Sequence, residues 1–225
     1  YGDDTPKGNA IYQHERRRNL GYPALPSTFA TIWKNLRQGV FLSNTFILSF
    51  QYGCCFGVEI TMIQQAALYF TDEFGQSTES AAAIASIFGW MNLFARAIGG
   101  FWSDWANARS GLRGRLWCQV VLLVTEGCLV ITFSFTSTLG GAISVMVVFS
   151  IFVQAAEGST FGIVPYVDST VVGSVAGLVG AGGNIGGVCF ACLFVYNSYQ
   201  RTFLWMGCIV VASAIWTVFV AIPGH

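Results

Sequence analysis

Charged residues are scarce in this chain: Asp, Glu, Lys and Arg make up 10% of its 225 residues, and the formal net charge is zero. A soluble domain carries about 25%, so there are too few charges to solvate a globular surface. No basic face suggests nucleic acid. Histidine is nearly missing, His14 and His225 being the two present. The one CxxC pair, Cys189 and Cys192, therefore has no histidine or second CxxC to complete a metal site. All seven cysteines fall in apolar stretches, and Cys189 and Cys192 read as small residues packed between helices. No nucleophile–base pair stands out, so neither an enzyme nor a cofactor is expected. A basic segment followed by a short apolar one is absent from the start, so no signal peptide is expected either.

Apolar residues are abundant, at 54% with a mean hydropathy of +0.58. A helix needs roughly 20 of them to cross the hydrocarbon core, and six runs qualify. They cover about Phe41–Phe70, Ser80–Trp102, Leu116–Thr136, a fourth ending near Val164, Val171–Tyr196 and Phe203–Ile222. The expected fold class is an all-α membrane protein with six transmembrane helices over 39–222. Residues 1–38 are expected to form a cytoplasmic loop and 223–225 a truncated tail. The start at Tyr1, inside a polar basic segment, is what a fragment of a longer protein would show.

Nine of the eleven basic residues lie in 1–38 or in the connection after the second run. The positive-inside rule then places both ends of the chain in the cytoplasm. The loop around Asp168 falls on the same side with no Lys or Arg, although acids count for little in this rule. Six crossings with both ends inside is the plan of one half of a duplicated transporter, with 1–38 as the linker between halves.

Arg96 is the residue that such a helix tolerates least. An arginine five or six residues from the expected end of the second helix costs several kcal/mol unless it faces a polar interior or a counter-ion. Its planar fork suits a planar oxyanion; snorkelling to the cytoplasmic surface is the alternative. Tyr52 and Phe56, one turn apart, share a face that offers a hydroxyl and a flat wall, or plain packing. Glu59, a turn further on, is a candidate proton carrier or an interhelical hydrogen-bonding group. Glu126 and Glu157 read as buried structural acids. The fifth run is a glycine rail containing Gly177, Gly180, Gly183 and Gly187, which suits close helix crossing. Asn184 within it must bond a neighbouring backbone or a substrate. Gly100 and Asp104, followed by Arg109, Arg113 and Arg115, read as a charge latch at a helix–loop junction, or as a solvated loop.

Three of these patterns resemble one family. Gly100-x-x-x-Asp104 with trailing arginines is similar to the cytoplasmic signature loop of the major facilitator superfamily, in its second-half copy. The run Ala176–Gly187 resembles the second nitrate signature of the nitrate/nitrite porters. Tyr52-Gly-Cys-Cys-Phe56-Gly-Val-Glu59 and Ala95-Arg96-Ala-Ile-Gly-Gly100 resemble helices seven and eight of its eukaryotic high-affinity nitrate transporters. The resemblance implies a carboxy-terminal half in the plasma membrane, working by alternating access coupled to protons. Arg96 would be one of two nitrate-clamping arginines, with Tyr52, Phe56, Gly183 and Asn184 around the substrate and Gly100, Asp104 and Arg113 as the gate. Nitrate, nitrite, protons, lipid, the missing amino-terminal half and an accessory membrane subunit are the expected partners. A nitrate-sensing or regulatory protein on the same fold, or a porter for another small anion, is the alternative. The spacing from Asp104 to its arginines is longer than in the family's loop, and the Asp168 loop lacks basic residues.

Overall fold

The apolar runs leave no backbone polar group for water to satisfy, so each closes its hydrogen bonds within itself as a helix. The computed structural model describes residues 29–220, and all of its regular elements are helices. In order they are α1 (Phe29–Val40), α2 (Ser43–Phe74), α3 (Thr78–Ser134), α4 (Leu139–Val167), α5 (Val172–Tyr196) and α6 (Tyr199–Ile215), with a closing 3-10 turn at Trp216–Phe219. Five of them are long and apolar enough to cross a membrane. The chain falls into two units, Tyr1–Arg37 and Gln38–His225. Most of the expected 1–38 loop and the 223–225 tail lie outside the described residues. The described end of that loop is helical, because Ile32, Trp33, Leu36 and Val40 recur at helical spacing.

The second and third apolar runs fall in one element, the 57-residue α3, which breaks at Ser110 (φ −132°, ψ 15°) and Gly111 (φ 61°, ψ −154°). That glycine conformation is closed to residues with a Cβ. The chain turns back there, since Arg115 Nη1 reaches Ser103 Oγ at 3.1 Å and Nη2 reaches Asp104 Oδ1 at 2.6 Å. In a straight helix residues 104 and 115 would stand about 16 Å apart. The other ends are capped locally. Gly75 closes α2 in the left-handed conformation, with its N–H on Thr71 O and that of Gln76 on Phe70 O. Ser77 and Thr138 start α3 and α4 by accepting from the Ser80 and Gly141 amides. Beyond α4, Thr170 donates to the Asp168 carboxylate from its hydroxyl and its amide, and Gln38 does so from its side chain. These donors hold the carboxyl below its ordinary range, those of Thr170 first.

Three helix pairs cross at backbone distance, one of them α3–α6 at Gly127 and Gly207. A Cβ on Gly53 of α2 would stand 2.9 Å from Gly182 O of α5, and one on Gly57 would stand 2.9 Å from the Gly186 carbonyl carbon. On the other side Gly99 of α3 abuts the Ala155 backbone of α4, and Gly158 of α4 abuts the Arg96 carbonyl. Because the surrounding lipid is itself apolar, no hydrophobic force drives association, and such contacts and interhelical polar bonds hold membrane bundles together. Gln51 donates to Ser213 O and to Thr217 Oγ1, Gln119 to Thr160 Oγ1, and Gln154 to Phe88 O. At the opposite end from the α3 break, Tyr69, Phe133, Tyr199 and Phe203 interlock edge to face or tilted.

The glycine rail of α5 divides into two faces. Gly182, Gly183, Gly186 and Gly187 meet α2, whereas Gly177 and Gly180 have nothing within 4 Å of a would-be Cβ. The expectation that Gly177 and Gly180 serve helix packing is thus corrected within this bundle; among the three, Gly187 alone packs, against Ile60. A 3.6-residue turn cannot turn so many glycines to one neighbour. Cys189 and Cys192 are exposed and free rather than packed between helices.

Candidate functional site

The close α3–α4 and α2–α5 crossings bring four helices around Arg96. Its helical arm continues to residue 109, yet the guanidinium turns sideways into the bundle instead of following its own helix towards the end. Nη2 contacts Glu59 Oε2 of α2 at 2.8 Å and also Glu157 Oε2 of α4. Nη1 lies 3.4 Å from the Tyr52 hydroxyl. Snorkelling is therefore not how this arginine is accommodated. A guanidinium at membrane depth is tolerable when counter-ions face it, and here there are two.

Tyr52 and Phe56 stack with ring centroids 5.2 Å apart and planes 12° from parallel, while Phe161 of α4 meets the Tyr52 ring edge-on at 5.0 Å. The Arg96 guanidinium carbon lies 6.0 Å from the Phe56 ring centroid. Gly183 covers both rings from α5: a Cβ there would stand 2.7 Å from each. Arg96, Tyr52, Phe56 and Gly183 thus converge. Asn184 does not, because it is exposed and donates to Gly180 O, one turn back in its own helix. Its polar group is satisfied without a neighbouring helix or a ligand.

The two carboxylates differ. Glu59 also accepts from Asn92 Nδ2, so two donors hold it. Glu157 is fully buried, and neither of its oxygens accepts from a further group among the described residues. Sequence reasoning passed over Asn92 and Phe161, and read Glu157 as a structural acid only. An acid stranded in one apolar run and an arginine stranded in another is a usable signal for a pair, but Glu126 carried the same signal.

At the α3 break Asp104 pairs with Arg115, whose guanidinium also lies 5.2 Å from the Tyr166 ring centroid. Arg113, expected as the gate partner, is exposed. From a chain that turns back over two residues, position 115 comes level with 103 and 104, which puts 113 too near the bend. Gly100 has open space where a Cβ would lie. Among the described residues no group of His, Cys, Asp and Glu could hold a metal.

No family model matches the chain. It is 38% identical over 205 residues to High affinity nitrate transporter 2.5 of Arabidopsis thaliana, covering 89% of this chain and 39% of that protein. With High-affinity nitrate transporter 2.3 of Oryza sativa subsp. japonica it shares 34% over 231 residues, 99% of this chain and 42% of the relative. With Nitrate transporter 2.2 of Chlamydomonas reinhardtii it shares 36% over 231 residues, 99% of this chain and 44% of the relative. The chain spans about two fifths of the length of these relatives. With its long apolar helices it is an integral membrane protein, and by sequence it belongs to the family that these high-affinity nitrate transporters form.

Proposed function

We propose that this chain is the carboxy-terminal, six-crossing half of a secondary transporter that carries nitrate and nitrite across the plasma membrane by alternating access, coupled to protons. The observation that carries the reading is the Arg96 guanidinium, aimed into the bundle beside a tyrosine hydroxyl and a stacked aromatic wall. Nitrate is planar, as the guanidinium is, and its three oxygens accept hydrogen bonds in that plane. Arg96 and the Tyr52 hydroxyl would donate, Phe56 would lie flat against the anion, and Gly183 would leave it room.

The length of α3 supports six crossings. A straight helix of 57 residues would run about 85 Å, nearly three times the hydrocarbon thickness. Its two arms, 78–109 and 112–134, are each longer than the roughly 20 residues a crossing takes. Arg109, Arg113 and Arg115 beside the bend favour a cytoplasmic turn, and both chain ends then lie inside. Asp104 and Arg115, with Gly100 a turn earlier, would form the gate. Gly177, Gly180 and Asn184 would face the other half of the transporter.

An inside-negative potential opposes anion entry by about 2.3 kcal/mol per 100 mV. Inward transport then needs roughly two protons for each anion to carry net positive charge. Nitrate-evoked inward current in cells expressing the full-length protein tests the reading. Current that nitrite and chlorate compete for, but phosphate does not, is the expected result. Nitrate binding without current, in protein at the cell surface, would overturn transport in favour of sensing.

A further inference from the structure

Arg96 serves two carboxylates through a single nitrogen, Nη2. The trio of Arg96, Glu59 and Glu157 sums to one negative charge if both acids are ionised. An entering anion would raise that to two, inside a bundle where like charges are poorly screened. An anion therefore binds at Arg96 only if a carboxylate gives up its hold and its charge. The hydrogen bonds say which one. Glu59 keeps the Asn92 amide when Arg96 turns away, whereas Glu157 keeps no donor and faces the Glu59 carboxyl. A fully buried carboxylate with no donor is far more costly than its neutral acid.

From this we propose that Glu157 is the group that takes up a proton as the anion displaces it from Arg96, while Glu59 stays ionised as the fixed counter-ion. The proposal rests on the anion-transport reading above. The step accounts for one of the roughly two protons that inward current needs: it joins a Glu157 oxygen from the outer solution, the ion pair with Arg96 is replaced by the anion's, and the proton leaves inwards when the anion does. The net charge of the site is the same before and after. The groups facing Glu157 are Glu59, Tyr52 and Cys55 of α2, and Arg96 and Glu126 of α3. Within α5 there is no charged residue. Glu126, also fully buried and without a hydrogen-bond partner among the described residues, stands apart from the arginine and does not compete for it.

The test is nitrate affinity against pH, measured by calorimetry on purified full-length transporter with sodium nitrate. One proton taken up per anion weakens wild-type binding by about tenfold per pH unit on the alkaline side of the titration. Glu157→Gln, neutral at every pH, is expected to bind with less than about a twofold change between about pH 5.5 and about pH 7.5. Glu59→Gln is expected to keep the wild-type slope. A Glu157→Gln protein that keeps the slope, or a Glu59→Gln protein that loses it, overturns the assignment. So does a monodisperse Glu157→Gln protein that binds no nitrate at any pH, since Glu157 would then serve only to hold Arg96 in place. Wild type that binds no nitrate at all would bring down the transport reading itself, a result distinct from any of these.

Discussion

Two of the four arginines on α3, one in each arm, face an acid, yet they answer different problems. Arg115 meets one carboxylate, Asp104, whose side chain is 69% exposed, and adds a serine hydroxyl. Charge is balanced there, and water can take over the Asp104 carboxylate when the contact opens, while the buried Arg115 guanidinium keeps the Ser103 hydroxyl. Arg96 meets two carboxylates, exposed by 4% and 0%, while its own side chain is 35% exposed. The first pair is a balanced contact whose acid stands in water. The second is a site with one negative charge too many and a partly open guanidinium. Surplus, rather than depth alone, is what marks the Arg96 cluster as chemistry.

Substitutions can break that contrast. Arg96→Lys replaces a fork by a point charge that cannot serve two acids, a hydroxyl and a planar anion together. Uptake of labelled nitrate should fall by about 100-fold or more, the equivalent of roughly 2.7 kcal/mol, within the range of a lost charged hydrogen bond. Normal uptake with the protein at the surface would refute the clamp. Gly183→Leu drives a side chain into the Tyr52 and Phe56 rings, so the apparent KM for nitrate should rise by about tenfold, and an unchanged KM would remove these rings from the anion site. Arg115→Lys keeps the charge and one of two contacts. It should slow transport by a few-fold with KM unchanged, and a shift in KM would show that the two arginines are not separate in function. Asp104→Asn is the mildest. Because that carboxylate is mostly in solvent, thermal unfolding should move by less than about 1 kcal/mol, and a larger loss would contradict the balanced, breakable contact.

The helices were legible because lipid forces apolar length and backbone closure into the sequence itself. Arg96, Tyr52 and Phe56 could be singled out for a related reason: an arginine in hydrocarbon is expensive, and two aromatics at i and i+4 must share a face. What stayed hidden depended on which side of a neighbouring helix a residue reaches. Glu157 lies 61 positions after Arg96, and no local pattern tells it from Glu126. The turn at Ser110–Gly111 decides that Arg115, and not Arg113, meets Asp104. Asn184 misled because a polar group at membrane depth can be satisfied by its own helix, one turn back.

The order of the ion pairs along the chain has a consequence for how the protein is made. Glu59 lies on α2 and Arg96 on the first arm of α3, joined by the short turn around Gly75. The arginine therefore meets its first counter-ion within a hairpin of two consecutive helices, before α4 has left the ribosome. A lone arginine at the centre of a helix costs roughly 2.5–3.5 kcal/mol at the insertion machinery, and a partner already threaded lowers that barrier. Glu157 arrives later, into a bundle whose arginine is already neutralised. The carboxylate synthesised last is thus the one for which no charge was reserved.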